Sequence, residues 1–231
     1  MSTARNRRAQ WAAGSAVALA LLFAGAATVA SARDGGAAPA GRPPTAESAD
    51  AGFARDMAVH HQQAVEMSFI VRDRTRDEDV RRLAYDIANT QANQRGMLLG
   101  WLELWGLPKT APDGKGPMAW MPDTPSTHSG HDMHGGHGTQ SADRDGALMP
   151  GMATRTELRR LGEADGEGAE VLFLQLMTDH HKGGVAMAEG CAERCAVPVE
   201  KRLARTMVDA QRSELDLMSD MLAARGAAPR P

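Results

Sequence analysis

Cysteine is nearly absent: the 231-residue chain has two, Cys191 and Cys195, and neither stands at the head of the mature part, where a lipid anchor would need one. Outside the cytoplasm thiols tend to oxidise, so the pair favours a disulfide over two free ligands. An excess of positive charge is missing too, with 26 Lys and Arg against 29 Asp and Glu. Binding to nucleic acid needs a basic face that neutralises phosphates, so that class of partner is excluded. No segment alternates apolar and polar residues as a strand does, which leaves helices as the building material. Two catalytic signatures are also lacking. A di-iron oxidase in a helical bundle needs Glu-x-x-His on two helices, and a zinc protease needs His-Glu-x-x-His; neither pattern occurs.

What is present begins with a secretory pattern. Arg5, Arg7 and Arg8 precede an apolar run from Ala12 to Val29, and Ala30-Ser31-Ala32 is a small-x-small cleavage site. Arg7-Arg8 hints at twin-arginine export. Residues 1–32 are therefore expected to be a signal peptide; left uncleaved, the run would serve as a membrane anchor. Its removal leaves 199 residues with 23 Lys and Arg against 29 Asp and Glu, a mildly acidic exported chain. A Gly, Ala and Pro-rich tether follows over 33–48, with too few large apolar groups to fold.

From there Phe53, Met57, His60, His61, Ala64, Val65 and Met67 recur at helical spacing, predicting an amphipathic helix that ends near Arg74. Thr75-x-x-Glu78 has the form of a capping box, and the stripe Val80, Leu83, Ala84, Ile87, Ala88, Gln91, Leu98, Leu102 predicts a second helix stopped by Gly106 and Pro108. The whole hairpin, 49–106, recurs. At an offset of 120 residues Phe53 to Gly106 aligns without a gap on Phe173 to Gly226, with 13 of 54 positions identical. Unrelated sequence would give roughly three. Each hairpin has one apolar face and can bury it only against the other, so the fold expected is an all-α four-helix bundle. Between the copies lies a His/Met-rich linker, 107–150, and residues 151–226 hold a short helix begun by Thr154-x-x-Glu157, followed by the second hairpin. That hairpin and 49–106 make one domain.

The chemistry lies in a repeated Met-x-x-His-His. Helical residues three or four apart share a face, so Met57 groups with His60 and His61, Met177 groups with His180 and His181, and Met67 and Met187 extend the stripes. Thioether sulfur is soft and imidazole borderline, so the set favours Cu(I) and accepts Cu(II). A single inward methionine or histidine is ordinarily core packing; the same set in both copies favours a metal role. Met207, Met218 and Met221 lack that context and read as core. Gln91 and Gln211 sit on apolar stripes, with Gln94 and Glu214 three residues on. Their buried amides need partners, either a histidine ring or backbone and water at the bundle end. In the linker His128, His131, His134 and His137 keep a spacing of three, with Met118, Met121 and Met133 nearby, a flexible tract that can wrap Cu, Zn or Ni ions. Cys191 and Cys195 stand one turn apart, in place of Val71 and Thr75 of the first copy. They either extend a Cu(I) path or close a disulfide, with the disulfide favoured.

Phe53-Ala-Arg-Asp-Met-Ala-Val-His-His-Gln-Gln-Ala-Val-Glu-Met67, Phe173-Leu-Gln-Leu-Met-Thr-Asp-His-His-Lys-Gly-Gly-Val-Ala-Met187 and Leu148-Met-Pro-Gly-Met-Ala-Thr154 together resemble the family of domain of unknown function 305 over Asp50 to Leu222, the His-rich linker apart. The resemblance implies an exported helical bundle, ferritin-like in outline, of a kind whose better-known members bind copper and protect cells against it. By position it implies Met57, His60, His61, Met67, Met177, His180, His181 and Met187 as ligands, and Met149 and Met152 as additions from a Met-rich stretch. The expected protein is a non-catalytic copper binder of copper homeostasis or resistance, with no organic cofactor. Its expected partners are metal ions and a copper exporter or another exported copper protein, with self-association left open. A copper-dependent redox enzyme and a metal-free interaction bundle are the alternatives.

Overall fold

A computed structural model describes residues 42–112, 114–121 and 145–231. The expected signal peptide and His128, His131, Met133, His134 and His137 lie outside the described residues. Five helices and no strand occur among those described: α1 (Ala49–Arg74), α2 (Glu78–Leu104), α3 (Arg155–Glu163), α4 (Gly166–Arg194) and α5 (Pro198–Ala223). The Ser48 hydroxyl starts α1 by accepting the Ala51 N–H at 3.2 Å. The Thr154–Glu157 capping box forms as expected at α3.

The expected capping box at Thr75 does not form. Asp77 caps α2 instead, its carboxylate accepting the Val80 N–H at 2.9 Å. Thr75 is buried, and its hydroxyl donates to the Glu170 carboxylate while accepting the Asp77 N–H. A shorter, charged acceptor sits where the helix begins, and the threonine is committed elsewhere. Both hairpins end alike. Gly106 and Gly226 adopt φ of 67° and 63°, and each is followed by a residue whose N–H reaches back to Leu102 or Leu222, closing a Schellman motif.

Helices α1 and α4 pack on each other, α2 flanks α1, and α5 flanks α4, while α3 leans on α1 and α4. Two apolar clusters fill the bundle. One holds Met67, Val71, Leu83, Ile87, Phe173, Met177, Met218 and Leu222; the other holds Phe53, Met57, Leu98, Leu102, Met187, Ala204 and Met207. Each draws on opposite halves of equivalent helices, as an approximate twofold between the copies requires. The same symmetry latches the turns. Asp50 at the start of α1 accepts the N–H groups of Ala196 and Val197 in the α4–α5 turn, and Glu170, its equivalent in α4, accepts from Thr75 in the α1–α2 turn. No helix among the described residues is long and apolar enough to cross a membrane.

Candidate metal centre

Between the two apolar clusters runs a polar layer to which all four long helices contribute. His60 and His61 come from α1, Gln91 and Gln94 from α2, His180 and His181 from α4, and Gln211 and Glu214 from α5. The duplication places it there: in each helix the apolar stripe is interrupted at the same equivalent positions. All four histidines are buried, with exposures of 0–1%. The His60 and His180 rings meet across the α1–α4 contact with centroids 3.7 Å apart and planes 34° apart.

The hydrogen bonds fix which nitrogen is free on three of the four rings. His61 Nε2 donates to the Gln94 oxygen at 2.9 Å, His181 Nε2 to the Glu214 carboxylate at 2.6 Å, and His180 Nε2 to the His60 carbonyl at 3.0 Å. In a neutral imidazole a protonated Nε2 leaves the Nδ1 lone pair bare. Among the described residues those three Nδ1 atoms have no protein partner, and the His60 ring makes no well-formed hydrogen bond, with the Pro150 backbone its nearest polar contact. Burial drives His60 and His61 down to about 3 and His180 well below its ordinary value, so these rings stay neutral at physiological pH. Neutral, oriented imidazole with a free lone pair is the form that ligates a metal.

Methionine sulfur brackets the layer. Met57, Met149 and Met187 share one apolar cluster, and Met67 and Met177 share the other. Every one of the eight duplicated candidates, Met57, His60, His61, Met67, Met177, His180, His181 and Met187, is buried. The four histidines alone do not converge on one point. Among the described residues the His, Cys, Asp and Glu ligand atoms that lie mutually within 4.8 Å in threes belong to Cys191, Cys195 and Glu200. Three imidazoles alone therefore do not make a metal site in the layer.

The segment from Met149 to Ala153 is strapped against this layer. The Gln63 amide of α1 donates to the Ala153 carbonyl at 2.9 Å and accepts its N–H at 2.7 Å. The equivalent position in α4 is Gly183, where a Cβ would lie 2.1 Å from the Pro150 oxygen. One copy grips the strap and the other makes room for it. Met149 is thereby buried beside Met57 and Met187, and Met152 packs at the edge of the same cluster.

One expectation is corrected. Gln91 and Gln211 are buried but do not hold the histidines; Gln94 and Glu214, nearly one turn further along, reach the Nε2 atoms instead. Both amide atoms of Gln91 and the Gln211 oxygen lack a partner among the described residues, and Gly184 gives the Gln211 amide its space. Cys191 and Cys195 form the disulfide that the sequence favours, and the alternative of a Cu(I) path through them falls, since their sulfurs are spent on each other and offer no thiolate in this state. Met207, Met218 and Met221 are core, as expected. Gln63, Gly183, Asp50, Glu170 and Glu200 went unread in the sequence. Comparing residues 120 apart is the signal that marks them, since each is a place where one copy departs from the other or mirrors it.

The sequence matches the family described as Domain of unknown function (DUF305) over residues 50–222. Among curated proteins none matches the chain. A DUF305 protein of Streptomyces coelicolor, taken to be secreted, is similar at 60% identity over 81% of this chain and 99% of its own, with a TM-score of 0.68. A DUF305 fragment from Deinococcus radiodurans is 29% identical over 76% of this chain and 96% of its own, with a TM-score of 0.59. CopM in its Cu(I)-bound form shares the fold, at 18% identity over 76% of this chain and 96% of its own, with a TM-score of 0.54.

Proposed function

The chain belongs to the DUF305 family, and on that premise we propose that it is an exported, non-catalytic protein that binds copper and sequesters it or hands it on. The observation that carries this reading is the buried layer in which the Nδ1 atoms of His61, His180 and His181 have no protein partner and methionines stand on either side. Soft sulfur with borderline nitrogen favours Cu(I) and accepts Cu(II). Neither ligand type forms disulfides in an oxidising compartment, in contrast to thiolates. Glu214, about a quarter exposed, is where the layer meets solvent and where an ion can approach.

Histidines that merely satisfied a core would have their ring nitrogens paired. The unpaired nitrogens speak against that reading. CopM, a fold relative solved with Cu(I) and with Cu(II), supports the choice of metal. The leader pattern over residues 1–32 and the relative taken to be secreted support export. Copper content and Cu(I) affinity, measured before and after changing His60, His61, His180 and His181 to Ala, test the proposal. Loss of bound copper with the helical fold retained is expected. Unchanged stoichiometry and affinity in the folded variant would remove these histidines from the site.

A further inference from the structure

The second hairpin departs from the first at three buried positions that come together in space. Val71, Thr75 and Val80 of the first copy correspond to Cys191, Cys195 and Glu200 of the second. Cys191 lies in the last turn of α4, Cys195 caps that helix, and Glu200 lies in the first turn of α5. Their ligand atoms are all within 4.8 Å of one another, and the three residues are 0–2% exposed.

Glu200 is the anomaly among them. It puts a fully buried carboxyl where the first copy has valine, and the polar group set against it is another acid, the Asp50 carboxylate. Burial, reinforced by the neighbouring Asp50 carboxylate, pushes it up to about 9, so it stands as a neutral acid beside the sulfurs. A disulfide that served only as a staple would sit as well beside valine, and burying an acid against a second carboxylate costs stability that valine would not. Both sulfurs are too deeply buried for another protein's disulfide to dock on them, which argues against an oxidoreductase and leaves reduction to a small dithiol admitted by local opening of the turn.

We propose that Cys191, Cys195 and Glu200 form a redox-gated site for a divalent thiophilic cation of the zinc type, closed in the disulfide state and opened by reduction. A dithiol reductant supplies two electrons and two protons: the S–S bond breaks, each sulfur gains a proton, and the reductant leaves as its own disulfide. Cation binding then displaces the two thiol protons and the Glu200 proton. Two thiolates and a carboxylate are ligands zinc takes together. The carboxylate oxygen beside the two sulfurs suits a borderline divalent ion such as zinc better than Cu(I), which takes all-soft sets, so this site is separate in chemistry and place from the histidine layer.

Cadmium titration of the full chain tests it, because thiolate-to-cadmium charge transfer absorbs in the ultraviolet and imidazole or thioether binding does not. After reduction with a phosphine, which itself ends as the phosphine oxide, one additional cadmium equivalent with that band is expected. The oxidised chain and the Cys191→Ser/Cys195→Ser variant should lack it. Glu200→Gln should keep the band at an affinity lower by about tenfold or more. Changing the four histidines to Ala should leave the band in place, which keeps this result apart from the copper reading. The proposal is overturned if the reduced chain gives no band or if Glu200→Gln binds as tightly as the parent. It also falls if circular dichroism shows reduction unfolding the chain without recovery on adding cadmium, since the disulfide is then a staple alone.

Discussion

Gln94 and Glu214 occupy equivalent positions and do the same job with different charge. Glu214 accepts from His181 at 2.6 Å and Gln94 from His61 at 2.9 Å. A carboxylate makes the stronger bond and raises the donor power of the ring it holds. Glu214→Ala is therefore expected to weaken Cu(I) binding by about 10–100-fold, with Gln94→Ala at or below the lower end of that range. Competition against a chromophoric Cu(I) chelator measures both, and equal losses would mean that the charge is irrelevant. Glycine sets a second contrast. At Gly183 a Cβ would meet the Pro150 oxygen at 2.1 Å and its carbonyl carbon at 2.7 Å, backbone atoms that cannot swing away, whereas at Gly96 nothing lies within 4 Å. Gly183→Ala should destabilise by about 1–3 kcal/mol, while Gly96→Ala in the exposed middle of α2 should stabilise by up to about 1 kcal/mol. Denaturant midpoints at unchanged m decide between these signs.

At the level of helices and turns, the hairpins were readable because a helix that buries one face writes that face into its sequence every three to four residues, and here it is written twice in one register. The four histidines were readable for the same reason. The start of α2 was not, because Thr75 is claimed by Glu170, a partner 95 residues away that no local pattern registers. The partners of His61 and His181 lie three residues beyond the positions the sequence marks: Gln91 and Gln211 carry the apolar-stripe signal, yet Gln94 and Glu214 have the reach. The strap over the layer was equally hidden, since Gln63 and Gly183 look unremarkable until their common contact with Pro150–Ala153 is known. The reciprocal turn latches belong to this scale too. Asp50 Oδ1 accepts two turn N–H groups at 2.9 and 2.7 Å, so Asp50→Ala should cost about 1–2 kcal/mol, as loss of a helix cap does. Asp50→Asn keeps an acceptor and removes the charge beside Glu200, so it should cost less. Thermal melts of the two variants compare them, and an Asn variant no better than Ala would place the whole effect in the charge.

For the molecule as a whole, the buried layer and the buried acid pull stability in opposite directions with pH. His60 and His61, held at about 3, and His180, well below its ordinary value, stay neutral in the folded state, while the unfolded chain protonates them below its usual value near 6.5. The unfolded state then binds more protons, so stability falls as pH drops below about 6.5, by at most about 1.4 kcal/mol per pH unit for each ring. Glu200 has the reverse sign. Folded it keeps its proton up to about 9, whereas the unfolded chain releases it above its ordinary value of 4.5, so its contribution is lost progressively as pH rises between those two values. Where the two windows overlap, three rings outweigh one carboxyl. The metal-free chain should therefore be most stable near pH 6–7, with the acid limb the steeper. Glu200→Gln should flatten the alkaline limb and leave the acid limb in place. Urea denaturation of the oxidised, metal-free protein from pH 4 to 9 measures this directly, and an alkaline limb that survives the substitution would mean that Glu200 is already ionised in the folded state.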